Sequence, residues 1–290
     1  MENYVILTDS TTDLPADLIE KHGIAVLPLF FTIAGKEYRN YPDGREMDDK
    51  AFYNSLREGN MAATTQITAN TFIETFEPYL QNERDVLYIG FSSALSGTYN
   101  SSVTAVEELS ARYPERKIFT VDSLSASMGE GLLVYLASLE KEKGRTIEEV
   151  RDWVLNNRLR LCHWFTVDDL NHLKRGGRVS ATTAFIGTML GIKPILHVDD
   201  QGRLIPVGKT RGRNQSLEIL VQKMAETSEN PENQVIFISH GDSIEDARKV
   251  ETLVREKLHV KDVVINYIGP VIGAHSGPGT IALFFLGSKR

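Results

Sequence analysis

The segment Phe91-Ser-Ser-Ala-Leu-Ser-Gly-Thr-Tyr-Asn-Ser-Ser102 sets four hydroxyl side chains, Ser92, Ser93, Ser96 and Thr98, between the apolar run Val86–Gly90 and a helical pattern from Val103 to Leu109. A buried strand that empties into a helix start leaves unpaired backbone N–H groups and the positive end of the helix dipole facing the loop. Carboxylates and phosphates are held at such places, and the hydroxyls add donors. Ordinary N-capping accounts for one of these residues and less well for four.

Three other segments gather groups of the same chemistry. In Met61-Ala-Ala-Thr64-Thr65-Gln66-Ile67-Thr68, ahead of a helical pattern, Thr64, Thr65 and Gln66 can point side chains and amides into a pocket. Capping of that helix by Thr68 explains the segment equally well. Leu173-Lys-Arg175-Gly-Gly-Arg178 joins a flexible turn to three cations, which suits close approach to an anion or a solvated basic turn. His275 stands among four Gly and two Pro in Ile268–Gly279, ahead of an apolar strand. A rigid loop there would fix an imidazole that titrates near neutrality and can pair with an anionic head group; a purely structural histidine is the alternative.

Enzymatic readings of the same residues are weaker. Ser96, His275 and Asp122 could form a hydrolase triad, yet Ala94 stands where the nucleophile elbow G-x-S-x-G needs glycine. Asp9-Ser-Thr-Thr-Asp13 has Thr11 where an aspartyl phosphotransferase would carry a second acid, and turn chemistry explains it. There is no G-x-x-x-x-G-K-[ST], and Gly129-Glu-Gly131 is too short for a dinucleotide fingerprint. One Cys, seven scattered His and no H-E-x-x-H predict neither a metal site nor a cofactor.

The 290 residues, 41% hydrophobic and 24% charged, suffice for one large or two medium domains. A net charge of −7 argues against nucleic acid as a partner. Cys162 is the only cysteine, and no signal-peptide pattern opens the chain, so a cytoplasmic protein is expected. The longest apolar stretch, 181–196, is interrupted by Thr182, Thr183, Thr188, Lys193 and Pro194, and no transmembrane segment is expected.

These segments are carried on strand-like runs that alternate with helical patterns up to about residue 157, which predicts a parallel sheet covered by helices. After residue 160 come a strand at 161–167, a small-residue apolar helix at 181–190, a hairpin turned at Asp200-Gln-Gly202, and two further helix–strand pairs before the strand 281–286. The expectation is an α/β fold of two domains, 1–160 and 161–290, with a ligand cleft between them.

Taken in order, Thr8-Asp9-Ser10-Thr11 with Pro15, Thr64-Thr65-Gln66, Ser92 through Ser101, Val121-Asp122-Ser123, Lys174 through Arg178, Lys193-Pro194, and His275 through Gly279 resemble the DegV family over nearly the whole chain. One departure is Thr65, where the family usually shows serine. The resemblance implies a long-chain fatty acid such as palmitate or oleate buried between two α/β domains, its carboxylate at Thr64 and Ser96 with Thr65 and Ser93 nearby. Arg175 and His275 match the remaining polar partners of the head group. It further implies a lipid-presenting carrier that does no chemistry itself, whose cargo a separate ATP-dependent kinase subunit converts to acyl phosphate for phospholipid synthesis. Arg178 and Arg211 match the positions at which that subunit docks. Small residues of the 181–190 helix, with Met189, would suit the wall of an acyl tunnel. A hydrolase or transferase using Ser96 and His275 is the competing class.

Overall fold

The computed structural model describes residues 3–179 and 191–290. The first part of the chain runs β1 (Tyr4–Asp9), α1 (Ala16–Lys21), β2 (Ala25–Leu27), β3 (Phe30–Ile33), β4 (Lys36–Arg39), α2 (Asp49–Arg57), β5 (Ala62–Thr65), α3 (Ala69–Gln81), β6 (Asp85–Gly90), α4 (Thr98–Arg112), β7 (Ile118–Asp122), α5 (Met128–Glu142) and α6 (Ile147–Asn157). The remainder runs β8 (Leu161–Thr166), α7 (Leu170–Arg175), β9 (Ile192–Val198), β10 (Leu204–Arg211), α8 (Arg213–Thr227), β11 (Val235–His240), α9 (Ile244–Leu258), β12 (Asp262–Tyr267), α10 (Pro270–Ser276) and β13 (Ile281–Leu286).

Every residue of β1 is buried, as is nearly all of β6, because helices cover both faces of the sheet they share; such strands read as continuous apolar runs. That sheet is parallel throughout, in the order β2-β1-β6-β7, as the alternation predicts. A second sheet of six strands, β10-β9-β8-β13-β11-β12, is antiparallel except for its last pair. Strands β3 and β4 form a hairpin, which β5 extends into a small antiparallel sheet. The β9–β10 hairpin turns as expected, with Gly202 at φ +77.

Helix α5 is buried almost all round because it lies between the two large sheets, packing on β1 and β6 on one side and on β8, β11 and β13 on the other. One apolar cluster therefore crosses the molecule, from Ile6 and Leu87 through Leu132 and Leu133 to Phe237 and Phe284. Phe72, Phe76 and Leu80 of α3 repeat every four residues and close the outer face of the parallel sheet; Leu217, Leu220 and Val221 of α8 close that of the mixed one.

The strand end at Asp9–Asp13 behaves as turn chemistry predicts. Asp9 accepts from the Thr11 N–H at 3.0 Å, capping a short 3-10 turn. Its other oxygen accepts from the Tyr88 hydroxyl at 2.6 Å. Asp13 accepts from the Gly269 N–H at 2.9 Å, and its carbonyl accepts from Asn266 Nδ2 at 2.9 Å, so this turn anchors the entry to α10. Glu130 of α5 completes the group by accepting from Thr8 and Thr11. Burial raises the affinity of Asp9, Asp13 and Glu130 for their protons.

Candidate functional site

The parallel sheet ends at the C-terminal edge of β6, and the chain between Phe91 and Gly97 turns there toward the mixed sheet. Ser92 Oγ donates to the Gly202 carbonyl at 2.9 Å, which ties this loop to the β9–β10 turn. Ser93 offers its backbone N–H to Asp122 Oδ1 at 3.3 Å. Thr98 is fully buried and accepts from the Ile67 N–H at 3.3 Å. The Ser92 and Thr98 hydroxyls are thus occupied structurally, as is the Ser93 backbone, and of the four residues Ser96 is the one that lines a cavity. Ser96 Oγ also accepts from the Thr98 N–H at 3.2 Å, so a turn bond at the start of α4 and an open position coexist on one residue.

This cavity lies between the two large sheets and holds about 190 Å³ of free space. One end is polar: Thr64, Thr65 and Gln66 from the end of β5, Ser96, Arg178, and His275 with Ser276 from α10. The rest is mostly apolar, with Phe165 from β8, Leu173 from α7, Val198 and Leu204 from the β9–β10 hairpin, and Ala282 and Phe284 from β13, interrupted by Ser127, His163 and Thr280. Helix 181–190, expected to line the tunnel, lies outside the described residues.

His275 sits in a seven-residue helix rather than the rigid loop the glycines and prolines suggest. Pro270 suits the first helical turn, and Val271 and Gly273 pack against the β3 and α2 side of the molecule. The ring is thereby aimed at β5, where Nε2 meets Thr64 Oγ1 at 2.9 Å. On its other edge, a Cβ added to Gly176 would stand 2.3 Å from Nδ1, so the α7 C-terminus closes on the imidazole only because glycine is there. Burial and the Arg178 charge push His275 down to about 4, so the ring is neutral at pH 7.

The two arginines of the basic turn take different places from those expected. Arg178 is half-buried in the cavity wall, its Nε donating to the Leu95 carbonyl at 3.3 Å and its Nη1 to the Gly176 carbonyl. Among the described residues it is the only charged side chain lining the cavity, and it has no carboxylate partner there. Arg175 is exposed, contacts His172 Nδ1 at 3.2 Å, and lines an adjoining pocket that shares Thr64, Arg178 and His275 with the main cavity. Arg211 is exposed at the end of β10. Of the residues expected at the head group, Thr64, Thr65, Ser96 and His275 come together, whereas Ser93 and Arg175 do not line the cavity.

Gln66 lines the cavity beside Thr64 and Thr65, as that segment suggested, whereas sequence reasoning missed Ser276 and placed Arg178 at a docking face rather than in the cavity wall. His163 was also missed, although the alternation of β8 puts it on the same face as Phe165.

The hydrolase arrangement is not assembled. His275 bonds Thr64 rather than Ser96, Ser96 bonds Thr98, and Asp122 Oδ1 is taken by the backbone N–H groups of Ser93 and Leu124. Among the described residues no group of acids, histidines or cysteines is arranged to hold a metal, and no helix is long and apolar enough to cross a membrane.

The chain is thus an α/β protein with a chamber between its two large sheets that carries hydroxyls, a neutral imidazole and, among the described residues, one cation without a carboxylate partner. The chain belongs to the DegV family: the family model described as "Uncharacterised protein, DegV family" matches residues 3–288. A DegV domain-containing protein of Clostridium perfringens is 49% identical over all 290 residues and 99% of the relative. Among solved structures, a DegV family protein from Thermus thermophilus, described as binding fatty acid, is 30% identical with a TM-score of 0.87, covering 98% of this chain and 99% of that one. A Thermotoga maritima protein described as revealing fatty acid binding function is 31% identical with a TM-score of 0.84, over 99% of this chain and 100% of that one.

Proposed function

We propose that this chain binds one long-chain fatty acid, with the carboxylate against Thr64, Ser96 and Arg178 beside His275 and the acyl chain in the apolar part of the cavity. The observation that carries this is Arg178, a half-desolvated cation without a counter-ion at the polar end of a chamber that no described carboxylate lines. A buried charge calls for an opposite charge, and an arginine suits a carboxylate. Burying about fourteen methylenes contributes roughly 10 kcal/mol gross, before the cost of association. The fatty-acid binding described for the Thermus and Thermotoga proteins supports the same ligand.

The protein acts as a carrier and not as a catalyst: it presents the lipid, in the cytoplasm, to a separate ATP-dependent kinase subunit that forms the acyl phosphate used in phospholipid synthesis. The two domains meet near residue 160, and Arg211, exposed at the end of β10, belongs to the docking face. The absence of a phosphate-cradling motif and the unassembled Ser96–His275–Asp122 set support the carrier over the hydrolase.

The test is a native mass spectrum of the purified protein, before and after addition of palmitate. One fatty acid per chain is expected; no lipid and no uptake overturns the reading. With ATP alone no acyl phosphate forms, and with the kinase subunit it does. In that assay Arg211→Ala keeps its lipid but slows phosphorylation at limiting kinase subunit, and an unchanged rate removes Arg211 from the docking face.

A further inference from the structure

The apolar part of the cavity contains one polar side chain whose hydrogen-bonding capacity is unmet. His163, on β8, is 1% exposed and lines the cavity, and among the described residues neither of its ring nitrogens has a hydrogen-bond partner. The Leu161 carbonyl, two residues back on the same strand, leans toward the ring without completing a bond. Burial, with Arg290 and His197 nearby, keeps the imidazole well below its usual pKa and therefore neutral, with one N–H donor and one bare nitrogen acceptor. Nearby, the Ser127 hydroxyl also faces the cavity, but it is spent on Asp13 Oδ2 at 2.5 Å and Ser239 Oγ at 3.0 Å. The room for the His163 ring is itself built: a Cβ on Gly129 of α5 would stand 2.1 Å from Nε2.

Its position along the cavity follows from strand register. Thr280 bonds the carbonyls of Ser276 and Gly277, 3.0 Å each, and so marks the end of β13 that adjoins His275. Residues 280, 282 and 284 share one face of the strand, and Phe284 pairs with His163 across the ladder. Four residues at about 3.4 Å each put His163 about 14 Å from the head-group end. A carboxylate at Thr64 and Ser96 would thus bring the distal half of a long acyl chain past the imidazole.

We infer that His163 is a specificity-determining residue that lets the cavity accept an acyl chain bearing a hydroxyl in its distal half. A hydroxyl offers one donor and one acceptor, the complement of a neutral imidazole, whereas the wall around it would otherwise leave that hydroxyl desolvated and unmatched. The inference rests on the fatty-acid reading above and adds a second recognition point to it.

The experiment measures the affinities of 12-hydroxystearate and stearate for the full chain, stripped of lipid, as wild type, His163→Leu and His163→Gln. Wild type binds the hydroxy acid at least as tightly as stearate. His163→Leu shifts the ratio about tenfold or more against the hydroxy acid, the usual consequence of burying an unmatched hydroxyl. His163→Gln, which keeps a donor and an acceptor, restores most of it. If wild type itself favours stearate tenfold or more, or if the ratio is the same in wild type and His163→Leu, the inference is overturned and a water or nothing at all completes the imidazole. Should the leucine variant not fold, the wild-type ratio decides alone. Failure of both acids to bind wild type is a different result, which rejects the fatty-acid reading itself.

Discussion

Replacing His275 with glutamine tests whether the imidazole at the polar end of the cavity is held neutral. In the unfolded chain His275 titrates near 6.5, whereas burial and the adjacent Arg178 lower it to about 4 in the folded protein. Between those values the unfolded state binds the extra proton, so the contribution is complete above about pH 6.5 and is lost as pH falls toward 4. Each unit is worth about 1.4 kcal/mol, so between about pH 7.5 and about pH 5 wild type loses roughly 2 kcal/mol through this residue. His275→Gln keeps a partner for Thr64 Oγ1 but has no proton to take up, and loses that much less. The other buried groups, among them His163, His240, Asp9, Asp13 and Glu130, titrate in both proteins and cancel in the difference. Urea unfolding of the lipid-free proteins at the two pH values measures it. In the palmitate-loaded proteins the gap narrows, because a carboxylate against the ring favours its charged form. Equal losses in the two lipid-free proteins would refute the assignment of a neutral, desolvated His275.

Thr64→Val and Ser96→Ala should each weaken binding of a free fatty acid by about 1–3 kcal/mol, the cost of an unmatched hydrogen bond to a charged group. The methyl ester should change far less, and parallel titration of acid and ester by calorimetry separates head-group loss from damage to the chamber. Gly176→Ala forces a Cβ to within 2.3 Å of His275 Nδ1, so the ring or α7 must shift. A loss of about 1–3 kcal/mol in stability and a weaker grip on palmitate are expected; an unchanged melting temperature and Kd would show that the contact yields freely.

The local devices of the fold were legible because they depend on neighbours in sequence. Thr68 caps α3 by accepting from the Thr71 N–H, the capping alternative named for that segment, and Gly202 turns the hairpin by adopting a positive φ. The strand 281–286 was visible as an apolar run. The error at His275 has a physical cause: glycine and proline lower helix propensity, but Pro270 is harmless in a first turn, and packing of Val271 and Gly273 on Phe52 and Tyr53 stabilises what propensity alone would not.

From sequence alone came the alternation of elements, the α/β class, and the segments that gather donors: Thr64 to Gln66, the loop carrying Ser96, the basic turn and the residues around His275. These are matters of residue type and short-range spacing. Only the tertiary structure decided that Ser92, Ser93 and Thr98 serve the scaffold while Ser96 faces the cavity, and that Arg178, not Arg175, lines its wall. It also decided that His163 stands far along the chamber, unpaired among the described residues. Those outcomes depend on how two sheets pack across α5, on strand register and on which way a turn leaves a short helix. Such contacts join residues from 29 positions apart, as Ser93 and Asp122, to 211, as Thr64 and His275, and no local pattern encodes them.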